Sequence, residues 1–192
     1  MGEFYKTKES VEQYVKSAEG FDGKVLIDKF TKHLTSKATV LEIGSGPGKD
    51  LEILSKNPDY KVIGSDNSEE FISYLQNKYS IGNFLKLEAD TLETDLKFDG
   101  IYSNKVLHHL TDEQLISSVN KQAEILNPNG VVCHSFWKGE SSEVFKGLFV
   151  NYHTIKEVEE LFQNEFEILS IELYKEFEAD DSILFIGRGR RS

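Results

Sequence analysis

The chain has 192 residues, long enough to bury one sizeable core and short for two, so a single domain is expected. Hydrophobic residues make up 39% and charged residues 29%, which excludes a disordered or fibrous protein. A formal net charge of −11 argues against a nucleic-acid partner, because a chain that grips phosphates presents a basic face and gains affinity by releasing counterions.

The first ten residues, MGEFYKTKES, lack the apolar run of an export signal. No later stretch approaches the roughly 18 to 20 apolar residues needed to cross a bilayer, so no membrane partner is expected. Between residues 9 and 35, Val11, Tyr14, Val15 and Ala18, then Val25, Leu26, Phe30 and Leu34, follow helical spacing that breaks at Gly20 to Gly23. Two amphipathic helices therefore precede the main fold, as a cap over residues 1–37. From Thr39 short β-rich runs alternate with helical stretches: TVLEIG, KVIGSD, FLKLEAD, FDGIYSN and GVVCHSF, with helices after the first, second and fourth. Finally FEILSIELYKEFE and DSILFIGRGR follow one another across a tight Ala179-Asp180-Asp181 link, which suits an antiparallel pair and is too short for a parallel crossover. The expected fold is α/β: one doubly wound, mostly parallel seven-stranded sheet with an antiparallel C-terminal strand, helices on both faces and extra N-terminal helices, with residues 38–192 as a Rossmann-like core. Ligands in such sheets bind beyond the carboxyl ends of the strands.

The single cysteine, Cys133 in VVCHSF, excludes an internal disulfide framework, reads as a buried structural thiol and fits a reducing cytoplasm. The one basic cluster, Arg188, Arg190 and Arg191, reads as a solvated tail. The five histidines, His33, His108, His109, His134 and His153, are scattered, with the adjacent pair expected to point in different directions on a helix, so no metal site is expected. Oligomeric state has no signal in the sequence.

The strongest local signal is VLEIGSGPGKD, an apolar strand followed by Gly44, Gly46 and Gly48 and then the start of a helix. Glycines there let backbone approach a ligand closely, and such a turn could equally cradle a dinucleotide pyrophosphate. The dinucleotide fingerprint, however, wants a third glycine where Lys49 stands. Asp66 ends the second strand, where a carboxylate can accept both hydroxyls of a ribose; it could also assist Asn67 or Ser68 in capping the helix that follows. Asp90, in LEADTL after the third strand, could take an adenine amino group beside Thr91 and Leu92, or simply cap a turn.

VLEIGSGPGKD, GSDNS, LEADTL, FDGIYSNKVLHHL and LNPNGVV together resemble the ordered motifs of class I S-adenosylmethionine-dependent methyltransferases over residues 39–137, and the terminal antiparallel pair is similar to that family's reversed last strand. The resemblance implies S-adenosyl-L-methionine as cofactor, S-adenosyl-L-homocysteine as product and a small-molecule acceptor. It places Glu42, Gly44, Ser45, Gly46 and Gly48 at the methionine part, Asp66 at the ribose with Asn67 in its neighbourhood, and Asp90, Thr91 and Leu92 at the adenine. Ser103 and Asn104 would border the sulfonium. His108, taken to lie one helical turn beyond Asn104, is similar to a histidine that small-molecule methyltransferases pair with an N-terminal tyrosine, for which Tyr5 and Tyr14 are candidates; a packing role is the alternative. Phe21, Trp137 and Tyr152 either line the acceptor pocket or pack in the core, and the stretch from Gly139 through EVFKGLFVNYHT carries no readable motif. Two rivals stay open: a nucleotide-binding protein of the same fold without turnover, and an NAD-dependent oxidoreductase.

Overall fold

The computed structural model describes residues 7–79, 82–145 and 147–190. In chain order the elements are α1 (Lys8–Ser17), α2 (Lys24–Phe30), β1 (Thr39–Ile43), α3 (Lys49–Leu54), β2 (Lys61–Asp66), α4 (Glu69–Lys78), β3 (Asn83–Lys86) and β4 (Phe98–Asn104). There follow α5 (Asp112–Ile125), β5 (Leu126–Trp137), β6 (Ser142–Phe145), β7 (Leu148–Asn151), α6 (Ile155–Phe162), β8 (Phe166–Tyr174) and β9 (Ser182–Gly189). Among the described residues the strands form a seven-stranded sheet in the order β3-β2-β1-β4-β5-β9-β8, plus a separate β6–β7 hairpin. Strands β1 to β5 pair in parallel, while β9 runs antiparallel to both β5 and β8. This is the expected doubly wound sheet with one reversed strand.

Side chains alternate across each strand and so build two cores. Leu41, Ile101, Val132 and Phe136 face Leu115 and Val119 of α5 and Val158 and Phe162 of α6. On the other face Val40, Tyr102, Val131 and Cys133 meet Leu26, Ile27 and Phe30 of α2. The helices start where polar caps satisfy their first N–H groups: Thr111 with Gln114, and Thr154 with Glu157, form capping boxes on α5 and α6. No helix of the described residues is long and apolar enough to cross a membrane.

Three features differ from expectation. The β8–β9 connection spans residues 175–181, because Asp181 accepts the backbone N–H groups of Glu176, Phe177 and Glu178 and organises a wider turn. The unreadable insertion is the β6–β7 hairpin. Arg188 belongs to β9, between β5 and β8, and Arg190, just past its end, donates from Nε to the Gln163 carbonyl, so these two arginines are tied to the fold and are not a loose tail; Arg191 lies outside the described residues.

A buried polar chain ties α5 to the sheet. His134 Nε2 donates to Gln122 Oε1 at 2.7 Å, which leaves Nδ1 to accept from Ser103 Oγ at 2.8 Å. Burial pushes the His134 pKa down from 6.5 to about 3. The neutral ring is thus favoured in the native state, and the stability it supplies is complete above pH 6.5 and is lost as pH falls from there toward about 3. Urea titrations at pH 7.5 and 5.5 should show the wild type losing unfolding free energy on acidification. His134→Gln should lose less, by about 1.4 kcal/mol per pH unit below the unfolded pKa; equal losses in both proteins would show that His134 takes up its proton without unfolding.

Candidate active site

The turn after β1 is built on backbone that glycine alone adopts easily. Gly44 has φ +69° and Gly46 φ +45°, and a Cβ on Gly44 would lie 2.6 Å from the Val106 side chain. A Cβ on Gly46 would meet only Tyr14, at 3.8 Å, so its open side faces a cavity. Ser45 locks the turn to the neighbouring strand: its N–H donates to the Ser65 carbonyl at 2.8 Å and its Oγ accepts from Ser65 N–H at 3.2 Å.

Two carboxylates flank this turn. Asp66 is buried, accepting Gly46 N–H at 3.1 Å and Ser68 N–H at 2.9 Å. Its pKa is raised by burial, against the lowering effect of those N–H donors. The Asn67 N–H acts on it as a third donor, so about one of its four acceptor positions is left. Ser68, as N-cap of α4, accepts Phe71 N–H, so Asp66 supports the cap only through the Ser68 backbone. Glu42 is also buried, and its Oε2 has no hydrogen-bond partner. Burial raises its pKa well above 4.5, assisted by the Asp50 charge. An orphaned carboxylate oxygen inside a cleft is costly unless a ligand donor meets it.

Around the turn lie two confluent cavities. One of about 330 Å³ is lined by Glu42, Gly44 to Pro47, Asp50, Asn104 and the aromatic rings of Phe21 and Trp137. A narrow one of about 60 Å³ continues between Asp66 and Asn67 on one side and Leu87 and Ala89 on the other. Tyr14 of α1 borders both, packed edge-on against Phe71 at 5.8 Å, its pKa raised by burial and then by Asp66 and Asp50. A third cavity of about 660 Å³ opens beyond Tyr14 and is largely apolar, with Trp137, Phe145, Leu148, Val150 and Phe177 in its walls.

His108 borders this third cavity, by a different route from the one expected. Asn104 ends β4, and Leu107–His109 form a short 3-10 turn before α5, so no common helix joins 104 and 108. The 108 and 109 rings pack together with centroids 4.0 Å apart instead of diverging. His109 Nδ1 donates to the Phe149 carbonyl at 2.7 Å, whereas His108 Nδ1 is buried without a partner. Burial, then the neighbouring His109 and Lys105, push the His108 pKa well below 6.5. The ring is neutral at physiological pH, a hydrogen-bonding group and a weak base.

Of the other sequence-based candidates, Asn104 sits in the cleft and holds Asp50. Asn67 lines the narrow cavity and donates to Glu88. Ser103 does not reach the cleft: the strand alternation turns it under the sheet to His134. Asp90 is half-buried with Oδ2 taking Gln114 Nε2, Thr91 is exposed and Leu92, with φ +42°, is buried in the core; none of the three lines these cavities. Tyr5 lies outside the described residues. Tyr152 and Trp137 both line the 660 Å³ cavity, and Phe21 and Trp137 the 330 Å³ one.

Sequence reading missed two residues. Asp50 is a buried junction, accepting Gly23 N–H at 2.6 Å, Tyr102 OH at 2.7 Å and Asn104 Nδ2 at 3.1 Å, and so ties the loop between α1 and α2 to the sheet. An acid straight after a glycine turn was its only trace. Lys105, with φ +55°, borders all three cavities. Its Nζ donates to the Phe136 carbonyl at 2.9 Å and Ser182 Oγ at 2.7 Å and lies 3.6 Å over the Trp137 ring. Its charge is invisible in a motif read for glycines and acids.

Comparison with known proteins agrees with this geometry. Residues 40–130 match the family described as a methyltransferase domain. The chain is 31% identical over 137 residues to a malonyl-[acyl-carrier protein] O-methyltransferase of Calditerrivibrio nitroreducens, covering 68% of this chain and 52% of that protein. It is 34% identical over 102 residues to a trans-aconitate 2-methyltransferase of Variovorax paradoxus, covering 52% of this chain and 38% of that protein. The chain thus spans about half the length, or less, of the curated relatives it matches. The fold is shared with the 1,6-didemethyltoxoflavin-N1-methyltransferase of Burkholderia thailandensis, solved with S-adenosylhomocysteine bound, at TM-score 0.76 and 18% identity over 95% of this chain and 86% of that one. The 3-2-1-4-5 parallel order, the reversed strand and the glycine turn agree with that match to a methyltransferase domain over residues 40–130.

Proposed function

We propose that this chain moves a methyl group from S-adenosylmethionine to an oxygen or nitrogen of a small molecule held in the 660 Å³ cavity. The observation that carries the reading is the orphaned, buried Glu42 Oε2 beside a glycine turn whose open side faces the cleft. That oxygen suits an ammonium, the remaining acceptor position of Asp66 suits a ribose hydroxyl, and Leu87 and Ala89 supply apolar walls for a base. The acid-lined cleft equally disfavours the pyrophosphate of NAD, which would have to sit among Glu42, Asp50 and Asp66. Bound there, the cofactor supplies a methyl group activated by its sulfonium.

What remains for the protein is alignment and exclusion of water. In this reading α1 is the part of the N-terminal segment that caps the cleft, while α2 packs into the core: Tyr14 forms the partition between the cofactor side and the acceptor side, and Asp50 fixes the loop that follows α1. His108, neutral and in the wall of the acceptor cavity, packs against the acceptor and fixes its position. The buried free thiol of Cys133, its pKa pushed up by burial, suits a reducing compartment, and we place the reaction in the cytoplasm.

Calorimetric titration should give saturable binding of S-adenosylmethionine and S-adenosylhomocysteine and none of NAD; binding of NAD alone would overturn the assignment. Asp66→Ala removes one hydrogen bond to an ionised group worth about 1.5 kcal/mol, so S-adenosylhomocysteine affinity should fall about tenfold in a variant that circular dichroism shows to be folded. A loss below about threefold would take Asp66 out of the cofactor site. With an acceptor in hand, His108→Ala should lower turnover at least about tenfold while leaving S-adenosylhomocysteine affinity intact, and unchanged turnover would remove His108 from the mechanism.

A further inference from the structure

The acceptor cavity has an electrostatic signature that its apolar walls conceal. Lys105 is the one lysine or arginine lining it among the described residues, and Lys105 also borders both cavities on the cofactor side. His108 and His109 are held neutral by burial. Glu143, the one carboxylate in the wall, is engaged by Tyr152 OH at 2.6 Å toward the solvent edge. Lys105 is held on a left-handed backbone, its N–H donating to Ser135 Oγ at 2.9 Å, and Ser135 in turn donates to Asn104. A strained residue kept in place by a chain of half-buried bonds points to use of its side chain. Two of the three ammonium hydrogens are spent on Phe136 O and Ser182 Oγ, and one is left.

We propose that Lys105 anchors the carboxylate of an apolar or aromatic acid, and that the acceptor class is therefore a hydrophobic carboxylic acid methylated on oxygen. This rests on the methyltransferase reading above and narrows it. The large cavity accommodates the apolar body against Trp137, Phe145 and Leu148, while the remaining Nζ hydrogen takes one carboxylate oxygen. In the transfer, an oxygen lone pair forms the new C–O bond, the methyl–sulfur bond breaks and its electron pair stays on sulfur. The products are a methyl ester and a neutral thioether, the two opposite charges cancel, and no proton has to move. A cavity whose histidines are too weakly basic to collect protons suits such an acceptor better than an ammonium, which would need deprotonation beside Lys105.

Burial lowers the Lys105 pKa to about 7, opposed by Glu176 and Asp181 of the β8–β9 connection. Neither of these carboxylates forms an ion pair with Nζ among the described residues; Asp181 is spent on backbone N–H groups and on Ser182 Oγ. The other groups around Nζ are the Trp137 face, the Tyr174 ring at 5.3 Å and the neutral His108. Without ligand, the anchoring charge is present below about pH 7 and fades above it; a bound carboxylate raises that limit.

The test is calorimetric, on the full chain saturated with S-adenosylhomocysteine, using three probes with one body: 3-phenylpropionate, 3-phenylpropionamide and 3-phenylpropylamine. The acid should bind at least about tenfold tighter than the amide or the amine, and its affinity should weaken as pH rises through the lysine titration. Lys105→Met should abolish both the preference and the pH dependence while changing S-adenosylhomocysteine affinity less than about threefold, and Lys105→Arg should restore the preference in part. Equal binding of the three probes, amine preference, or an acid preference that survives Lys105→Met overturns the proposal. Failure of S-adenosylhomocysteine itself to bind would instead overturn the cofactor reading on which it stands.

Discussion

Everything around the cleft is fitted to a backbone that passes from β1 into α3 through left-handed glycines. With φ +69° and +45° at Gly44 and Gly46, the chain reverses tightly enough for Gly46 N–H to meet Asp66 at the end of β2, and for Ser45 to hold both strands in register. A side chain at Gly44 would collide with Val106, so the turn also sets where the segment after β4 can run. The parallel order of β2, β1 and β4 brings these three strand ends to one edge, and the cleft is what remains between them.

A half-buried polar chain extends that constraint to the far side of the cavity. Asp50 holds Asn104, Asn104 accepts from Ser135, Ser135 accepts from the Lys105 backbone, and the Lys105 ammonium reaches Ser182, which donates to Asp181. Such a network costs stability unless every member is satisfied, and here its members come from α3, β4, β5 and β9. Asp181 also shapes the turn that carries Phe177, whose ring stacks on Trp137 at 5.7 Å and meets Phe21 at 5.5 Å. The loop after α1 and the β8–β9 turn therefore touch over the cleft through aromatic edges, while Asp50 and Asp181 hold their bases.

Much of this was legible in the sequence because it rests on local rules. Strand alternation, the glycine turn and the acid ending β2 are readable residue by residue, and the reversed strand follows from a link too short for a crossover; β3 stops at Lys86, so Asp90 lies in the turn beyond it and not at a strand end. The errors arose where tertiary packing decides. The resemblance sets Ser103 beside Asn104 at the sulfonium, yet strand alternation sends its side chain to the opposite face, where it meets His134. His108 was put on a helix that in fact begins at Asp112, since the Thr111 capping box starts α5 only after a 3-10 turn. The β6–β7 hairpin has no strong turn dipeptide beyond Gly147, with φ +81°, and Lys105 has no local signature at all: its position depends on the strained φ and on partners 30 to 77 residues away.

The most direct measurement of the central claim is hydrogen–deuterium exchange of the protein with and without S-adenosylhomocysteine. The account predicts slower exchange at the turn of residues 44–48, at residues 66–68 and in α1, where Tyr14 covers the cleft, with β8 and the outer face of α6 unaffected. Protection confined to other segments, or none at saturating ligand, would contradict it.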